Sequence, residues 1–421
     1  MKLEVITIGD EVLSGAITDT NFAWLGERLW SRGYELVWHS TVGDDPETIT
    51  DALLRAAGRS QVVIVTGGLG PTLDDITLEV AAKAFGLKLA LNEVALQAIK
   101  NRFKKIGRET SGGGPFGMTP NNEKQALLPE GSKMISNKLG TAPGCHVVYD
   151  NCHFFFLPGV PREMHQQFDD SVLPTIASLE SEKRGYVFRL LRCFGAPEAT
   201  MAQKLEGLDL TGVDLAYRVS FPEIFIKVSA WGPDPTFLEK RVTAVAAEIR
   251  SRLEDLVYGE GEEAFAAVVG CMLLEKKAML ATAESCTGGR LASLITDIPG
   301  SSGWFERGAV TYSNVSKTEI LGVPESLIKT FGAVSSETAV AMAKGIRKLA
   351  KTDYGIGITG IAGPDGGTTE KPVGTVHIAL DTVDGAIQRE FHFATTREWF
   401  KKVVAFAALD LLRKKLLGLK S

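Results

Sequence analysis

Along the first part of the chain, short apolar and β-branched runs alternate with stretches of helical periodicity. Leu3–Ile8 (LEVITI) predicts a strand and Thr20–Arg32 a helix; Tyr34–Val42 predicts a second strand and Glu47–Ala57 a second helix. Gln61–Thr66 (QVVIVT) is almost continuously apolar, as in a strand buried on both faces, and Asp74–Phe85 is again helical in pattern. This β-α-β-α-β-α order predicts a parallel sheet covered by helices, with right-handed crossovers. An insertion follows, with Gly112, Gly113 and Gly114 in an expected loop. Cys145–Tyr149 and Cys152–Leu157, separated by Asp150-Asn151, predict a hairpin, and Pro161 suits the first turn of the next helix.

Beyond Ser171 the pattern changes. Strand-like Tyr186–Cys193, Asp214–Ser220 and Ile224–Trp231 flank helical Glu198–Leu205 and Leu238–Leu256, the signature of a small α+β module. Acidic Gly259–Glu263 reads as a linker, after which Ala264–Ser421 restarts an α/β pattern. The expectation is an α/β protein: two separate three-layer α/β domains, residues 1–170 and 261–421, joined by an α+β module at 171–260.

Composition narrows the function classes. With 421 residues, 44% hydrophobic and 23% charged, the chain has material for several buried cores and is neither disordered nor a disulfide scaffold. The net charge of −5 opposes nucleic-acid binding as the main activity. Five cysteines without a C-x-x-C motif favour a reducing compartment. Neither a signal peptide nor a long uncharged apolar window is visible, so the expectation is a cytoplasmic protein without membrane contact.

Candidate chemistry gathers at the predicted strand ends. Gly67-Gly68-Leu69-Gly70-Pro71-Thr72-Leu73-Asp74-Asp75 lies between a strand and a helix, where backbone N–H groups favour a phosphate. The plainer alternative has Thr72 capping the helix while Asp74 and Asp75 complement its dipole. Gly9-Asp10-Glu11 and Gly43-Asp44-Asp45 follow the other strands, and carboxylates converging on one sheet edge favour a phosphate-plus-metal site. Cys145-His146 and Cys152-His153 resemble zinc ligands, but a two-residue turn places the cysteines on one face and the histidines on the other.

In the last domain, Ala281–Gly289 (ATAESCTGG) runs from a strand into a predicted helix, placing Ser285 and Cys286 where N–H groups can stabilise an oxyanion. The alternative is a capping sequence with Ser285 or Thr287 as N-cap. A nucleophilic serine needs a base, and a buried Lys317 can serve as one in a Ser-Lys pair, with Tyr312 relaying a proton or holding the lysine. Ile358–Gly367 supplies a further glycine turn able to wrap a small ligand.

Taken together, these residues resemble the competence/damage-inducible protein CinA family across essentially the whole chain. The matching segments are GDEVLSG (9–15), TGGLGPTLDD (66–75), NKLGTAPG (137–144), LPGVPREM (157–164), AESCTGG (283–289), VTYSNVSK (310–317) and TGIAGPDGG (359–367). The resemblance implies a molybdopterin-binding-like first domain and a nicotinamide mononucleotide deamidase last domain that needs no cofactor. It implies catalytic Ser285, Lys317, Tyr312 and Thr359, with substrate held by Arg397, Thr287, Gly288, Gly360 and Gly363. Relatives carry a second arginine where this chain has Lys401, which keeps the charge but loses the planar fork.

For the first domain the resemblance implies ADP-ribose pyrophosphatase activity with a divalent metal ion. The implied binding residues are Gly9, Asp10, Glu11, Gly67, Gly68, Gly70, Thr72, Asn137, Gly140, Thr141 and Gly159, with Asp44, Asp74 and Asp75 on the metal. A homodimer is expected on the same ground. The alternatives are a molybdopterin-binding protein of cofactor assembly and a non-enzymatic competence accessory protein.

Overall fold

Two wholly buried strands, β1 (Leu3–Ile8) and β3 (Val62–Thr66), lie side by side inside the first sheet. In the computed structural model, which describes residues 1–109, 118–179 and 185–419, the chain forms two compact units, Met1–Tyr186 and Val187–Ser421. The expected glycine loop at 112–114 lies outside the described residues.

The first unit contains β1, β2 (Leu36–Val42), β3, β4 (Leu89–Leu91), β5 (Leu127–Pro129), β6 (Lys133–Ile135), β7 (Gly144–Tyr149) and β8 (Cys152–Leu157). Its main sheet has the order β2-β1-β3-β8-β7-β6. The first four of these strands run parallel, and β7 and β6 add antiparallel. Two apolar cores lie on its opposite faces: one contains Val63, Val65, Phe154 and Phe156, the other Leu3, Val5, Ile64 and Phe155. Such alternation along strands covered on both faces is what their apolar runs require.

The hairpin forms as its turn residues dictate: Asp150 and Asn151 have φ of 48° and 60°, and Tyr149 pairs with Cys152. Cys145 and Cys152 enter one core, while His146 and His153 hydrogen-bond to each other on the other face at 2.9 Å. Asp74–Phe85 departs from its expected pattern, because the helix spans only Thr77–Ala84.

In the second unit β9 (Gly185–Cys193), β10 (Asp214–Ser220), β11 (Glu223–Gly232) and β12 (Val257–Glu260) form a sheet of order β10-β11-β9-β12. Helices Glu198–Lys204 and Pro235–Leu253 share its core. The acidic segment expected as a linker is part of this sheet: Gly259 and Glu260 pair with Arg192 and Leu191 of β9. The apolar Val257 and Tyr258 that precede it draw the segment inward.

The last sheet contains β13 (Leu280–Glu284), β14 (Phe305–Val310), β15 (Tyr354–Gly360), β16 (Thr375–Thr382) and β17 (Gly385–His392), in the order β14-β13-β15-β16-β17. β14, β13 and β15 are parallel and the others antiparallel. The C-terminal helix Arg397–Leu416 covers one face, and Ser336–Ala350 packs on the other. Phe194 and Tyr258 of the small module join Phe265 and Phe406 in one core, so the module and the last sheet form a single unit. Among the described residues no helix is long and apolar enough to cross a membrane.

Candidate active site

β13 is wholly buried and delivers Ser285 at its end, where the serine N–H donates to the Ile358 carbonyl of β15 at 3.0 Å. The chain then turns through Gly288 (φ 60°) and Gly289 (φ 91°), conformations suited to glycine, and the helix begins only at Arg290. Neither Ser285 nor Thr287 is its N-cap; that position is Gly289. The helix N-terminus is not an open anion cradle either. The buried Glu284 carboxylate accepts from Gly289, Leu291 and Ala292 N–H at 3.0, 3.1 and 2.8 Å. The N–H groups of Cys286 and Thr287 donate to no main-chain carbonyl among the described residues.

Lys317 comes from the helix Asn314–Leu321, whose N-cap Ser313 accepts from Ser316 N–H. Its side chain is folded inward, with the residue 1% exposed. Nζ lies 3.1 Å from Ser285 Oγ and donates to the Thr311 and Tyr312 carbonyls at 2.8 and 3.3 Å. None of these partners is a carboxylate, and burial lowers the lysine's pKa from its ordinary value. Cys286 is different: it packs in the core, and burial pushes its thiol up to about 12. At neutral pH it is a protonated, shielded thiol.

The remaining expected residues divide. Tyr312 touches Lys317 through its carbonyl only; the residue is 63% exposed and its hydroxyl accepts from Arg397 Nη2 at 3.0 Å. Arg397, the first residue of the C-terminal helix, also donates to the Gly363 carbonyl at 2.8 Å. Thr359 is buried and donates its hydroxyl proton to the Ala333 carbonyl at 2.7 Å, so that proton is not free for an oxyanion. Thr287 is fully buried with its hydroxyl unpartnered. A Cβ on Gly288 would sit 3.4 Å from Lys401 Nζ, which places that cation beside the Ser285 turn. Gly360 instead makes room for β16, since a Cβ there would crowd the Thr375 carbonyl at 2.7 Å.

The first unit has a second strand-end site, a cavity of about 470 Å³. Gly9, Glu11, Asp44, Gly67, Gly68, Gly70, Asp74, Asp75, Thr141 and Gly159 line it, whereas Asp10, Thr72, Asn137 and Gly140 are not among the residues that line it. Asp10 and Asp44 brace each other: each carboxylate accepts the other's backbone N–H. Asp75 closes the glycine turn by accepting from Gly70 N–H, Thr72 N–H and the Thr72 hydroxyl. Thr72 is therefore a loop residue, five positions ahead of the helix that the plainer alternative had it cap. Asn137 holds the Leu139 and Gly140 N–H groups and donates to Glu163.

Asn21 and Glu163 also line this cavity, and sequence reasoning missed both. Asn21 bridges Thr66 and the Gly159 carbonyl, a link between distant segments without a local signal. The wall holds the carboxylates of Glu11, Asp19, Asp44, Asp74, Asp75 and Glu163 and, among the described residues, no lysine or arginine. Burial, aided by the charges of Asp10, Glu11 and Asp74, raises the Asp44 pKa. Among the described residues no three histidine, cysteine or acidic side chains are gathered as a metal cluster.

Two strand-end sites on separate α/β sheets, joined by a small α+β module, define a class of multidomain α/β protein. Family models match it piece by piece: a probable molybdopterin binding domain over 4–178, a damage-inducible protein CinA KH domain over 188–259, and a CinA C-terminal domain over 262–416. CinA-like proteins of Geotalea uraniireducens and Geobacter sulfurreducens are 43% and 42% identical, covering 100% and 99% of this chain and 99% and 100% of theirs. The chain belongs to the CinA family. Among solved structures, competence/damage inducible protein CihA from Agrobacterium tumefaciens is 39% identical, covering 36% of this chain and 93% of that one, with a TM-score of 0.35.

Proposed function

We propose that the last domain hydrolyses the carboxamide of nicotinamide mononucleotide to nicotinate mononucleotide and ammonia, a step of pyridine nucleotide salvage. The observation that carries this reading is the 3.1 Å contact between Lys317 Nζ and Ser285 Oγ, in a place where burial favours the neutral amine. Neutral Lys317 takes the serine proton as Oγ bonds to the carboxamide carbon. The lysine then returns that proton to the departing nitrogen; the C–N bond breaks and ammonia leaves an acyl ester on Ser285. Water, deprotonated by the same lysine, cleaves the ester and restores both groups.

The N–H groups of Cys286 and Thr287 are the donors assigned to the oxyanion, since Glu284 occupies those of the helix. Tyr312 orients Arg397 rather than relaying a proton, and Arg397 and Lys401 face the phosphate as cations. Thr359 holds the Ala333 segment in place.

For the first unit the reading is metal-dependent ADP-ribose hydrolysis. Six wall carboxylates without a cation repel a pyrophosphate, so such a ligand enters only with a compensating metal ion. Glu11, Asp44 and Asp74, which share the wall without forming a gathered cluster, would hold the ion, and the ion would supply the charge neutralisation; Asp75 is committed to its loop. The test is to incubate purified full chain with nicotinamide mononucleotide, free nicotinamide and ADP-ribose, with and without a chelator. The expected result is chelator-resistant ammonia from the mononucleotide and chelator-sensitive AMP from ADP-ribose. Ammonia release that a chelator abolishes, or its absence, overturns the deamidase reading.

A further inference from the structure

A cavity larger than that of the first unit lies where the small module meets the last sheet. It measures about 610 Å³, within the range of small-molecule sites. Phe194 and Ile224 of the module face Phe391, Phe393, Val403 and Leu411 across it. The two parts fuse into one core at Tyr258 and Phe265, whose rings stack at 4.2 Å, yet the fused packing leaves this space open. Apolar walls of this kind hold water poorly, so an apolar body that displaces it is favoured.

The charges on the wall specify the rest of the ligand. Glu223 is held by the Arg192 guanidinium and the Tyr258 hydroxyl. Asp410 is paired with Arg413 and Lys414, and Lys414 also with Asp255. Glu198 lies in the first turn of Glu198–Lys204, where the helix dipole accommodates it. Arg389 stands apart: its guanidinium donates to the Gln388 carbonyl and has no ion-pair partner among the described residues. It is the wall cation left without a carboxylate.

We propose that this cavity is a binding site for a compact amphipathic anion, an aromatic or branched apolar body carrying one carboxylate, sulfonate or phosphate that pairs with Arg389. The site is independent of the Ser285 chemistry and does not rest on the deamidase reading.

The probe pair is 8-anilinonaphthalene-1-sulfonate and its uncharged counterpart N-phenyl-1-naphthylamine, titrated into the folded full chain by fluorescence and calorimetry. The expected result is one saturable site per chain that prefers the sulfonate at least ~10-fold, the size of one desolvated charge pair. Arg389→Glu, an exposed substitution, should remove that preference while leaving the circular dichroism spectrum and Tm unchanged. Ala407→Phe, which fills the cavity from the C-terminal helix, should block both probes. Absence of a saturable site, equal affinity for the two probes, or sulfonate binding undiminished in Arg389→Glu overturns the proposal.

Discussion

The Ser285 turn and the acidic cavity occupy equivalent places, each at the ends of parallel strands where a glycine turn exposes backbone N–H groups. In both, the chain fills its own anion cradle. Glu284 takes three N–H groups after β13, and Asp75 takes two after β3. The difference is what each site then holds. Beside Ser285 stands a buried lysine with no carboxylate among its partners, so on the proposed reading the site carries its own base. The charged residues that line the cavity of the first unit are carboxylates only, and on the proposed reading it takes its cation from outside. Similar turns therefore serve opposite electrostatics, and the side chains beyond the turn decide which.

The comparison breaks first if the lysine is not the base. Ser285→Ala and Lys317→Ala should each lower kcat by at least ~10³, and the double variant should be scarcely worse, since the two act as a unit. Independent, multiplicative losses measured in steady-state assays would separate them. The rate should also rise with pH through a transition below that of an ordinary lysine, because only the neutral amine accepts the proton and burial depresses its pKa.

Next in size are the carboxylates that fill the cradles. Glu284→Ala leaves three N–H groups without their buried acceptor and should cost about 2–4 kcal/mol in denaturant unfolding. Asp44→Asn should abolish ADP-ribose turnover while leaving deamidation unchanged; equal loss of both activities would tie the two sites together. Asp75→Asn is a less clean probe than its motif implies, because it opens the loop.

The smallest effect concerns the hairpin histidines. Burial first, then the neighbouring His153 and Lys133, lower His146 from the ordinary 6.5 to about 4, and burial lowers His153 as well. The unfolded chain binds these protons more readily, so their stabilising contribution is complete above pH 6.5 and declines as pH falls toward about 4. A His146→Gln variant should show a shallower loss of Tm across that window.

Much of the fold is legible in the chain because burial acts locally on it. Apolar runs such as Gln61–Thr66 have few other places to go, and Asp150-Asn151 suits the left-handed turn it forms. The two helix starts are misjudged for a shared reason. Thr72, Ser285 and Thr287 are good capping residues by type, but Asp75 engages the Thr72 hydroxyl and Glu284 takes the N–H groups at the start of its helix, and the helices start at Thr77 and Arg290. The acidic stretch after Tyr258 imitates a linker because its neighbours' pull into the core is not visible in its own composition. Lys317 is legible as a candidate base, whereas the roles of Tyr312 and Thr359 depend on Arg397 and Ala333, distant partners that only the folded chain brings near.

The most direct measurement is ammonia release from nicotinamide mononucleotide by chelator-treated full chain, with wild type and Lys317→Ala side by side. The account predicts that the wild type keeps its full rate without metal while the variant, folded as judged by Tm, loses at least ~10³ of it. Turnover by Lys317→Ala at a comparable rate would contradict the Ser285–Lys317 mechanism, and a wild type silenced by the chelator would contradict the division between the two sites.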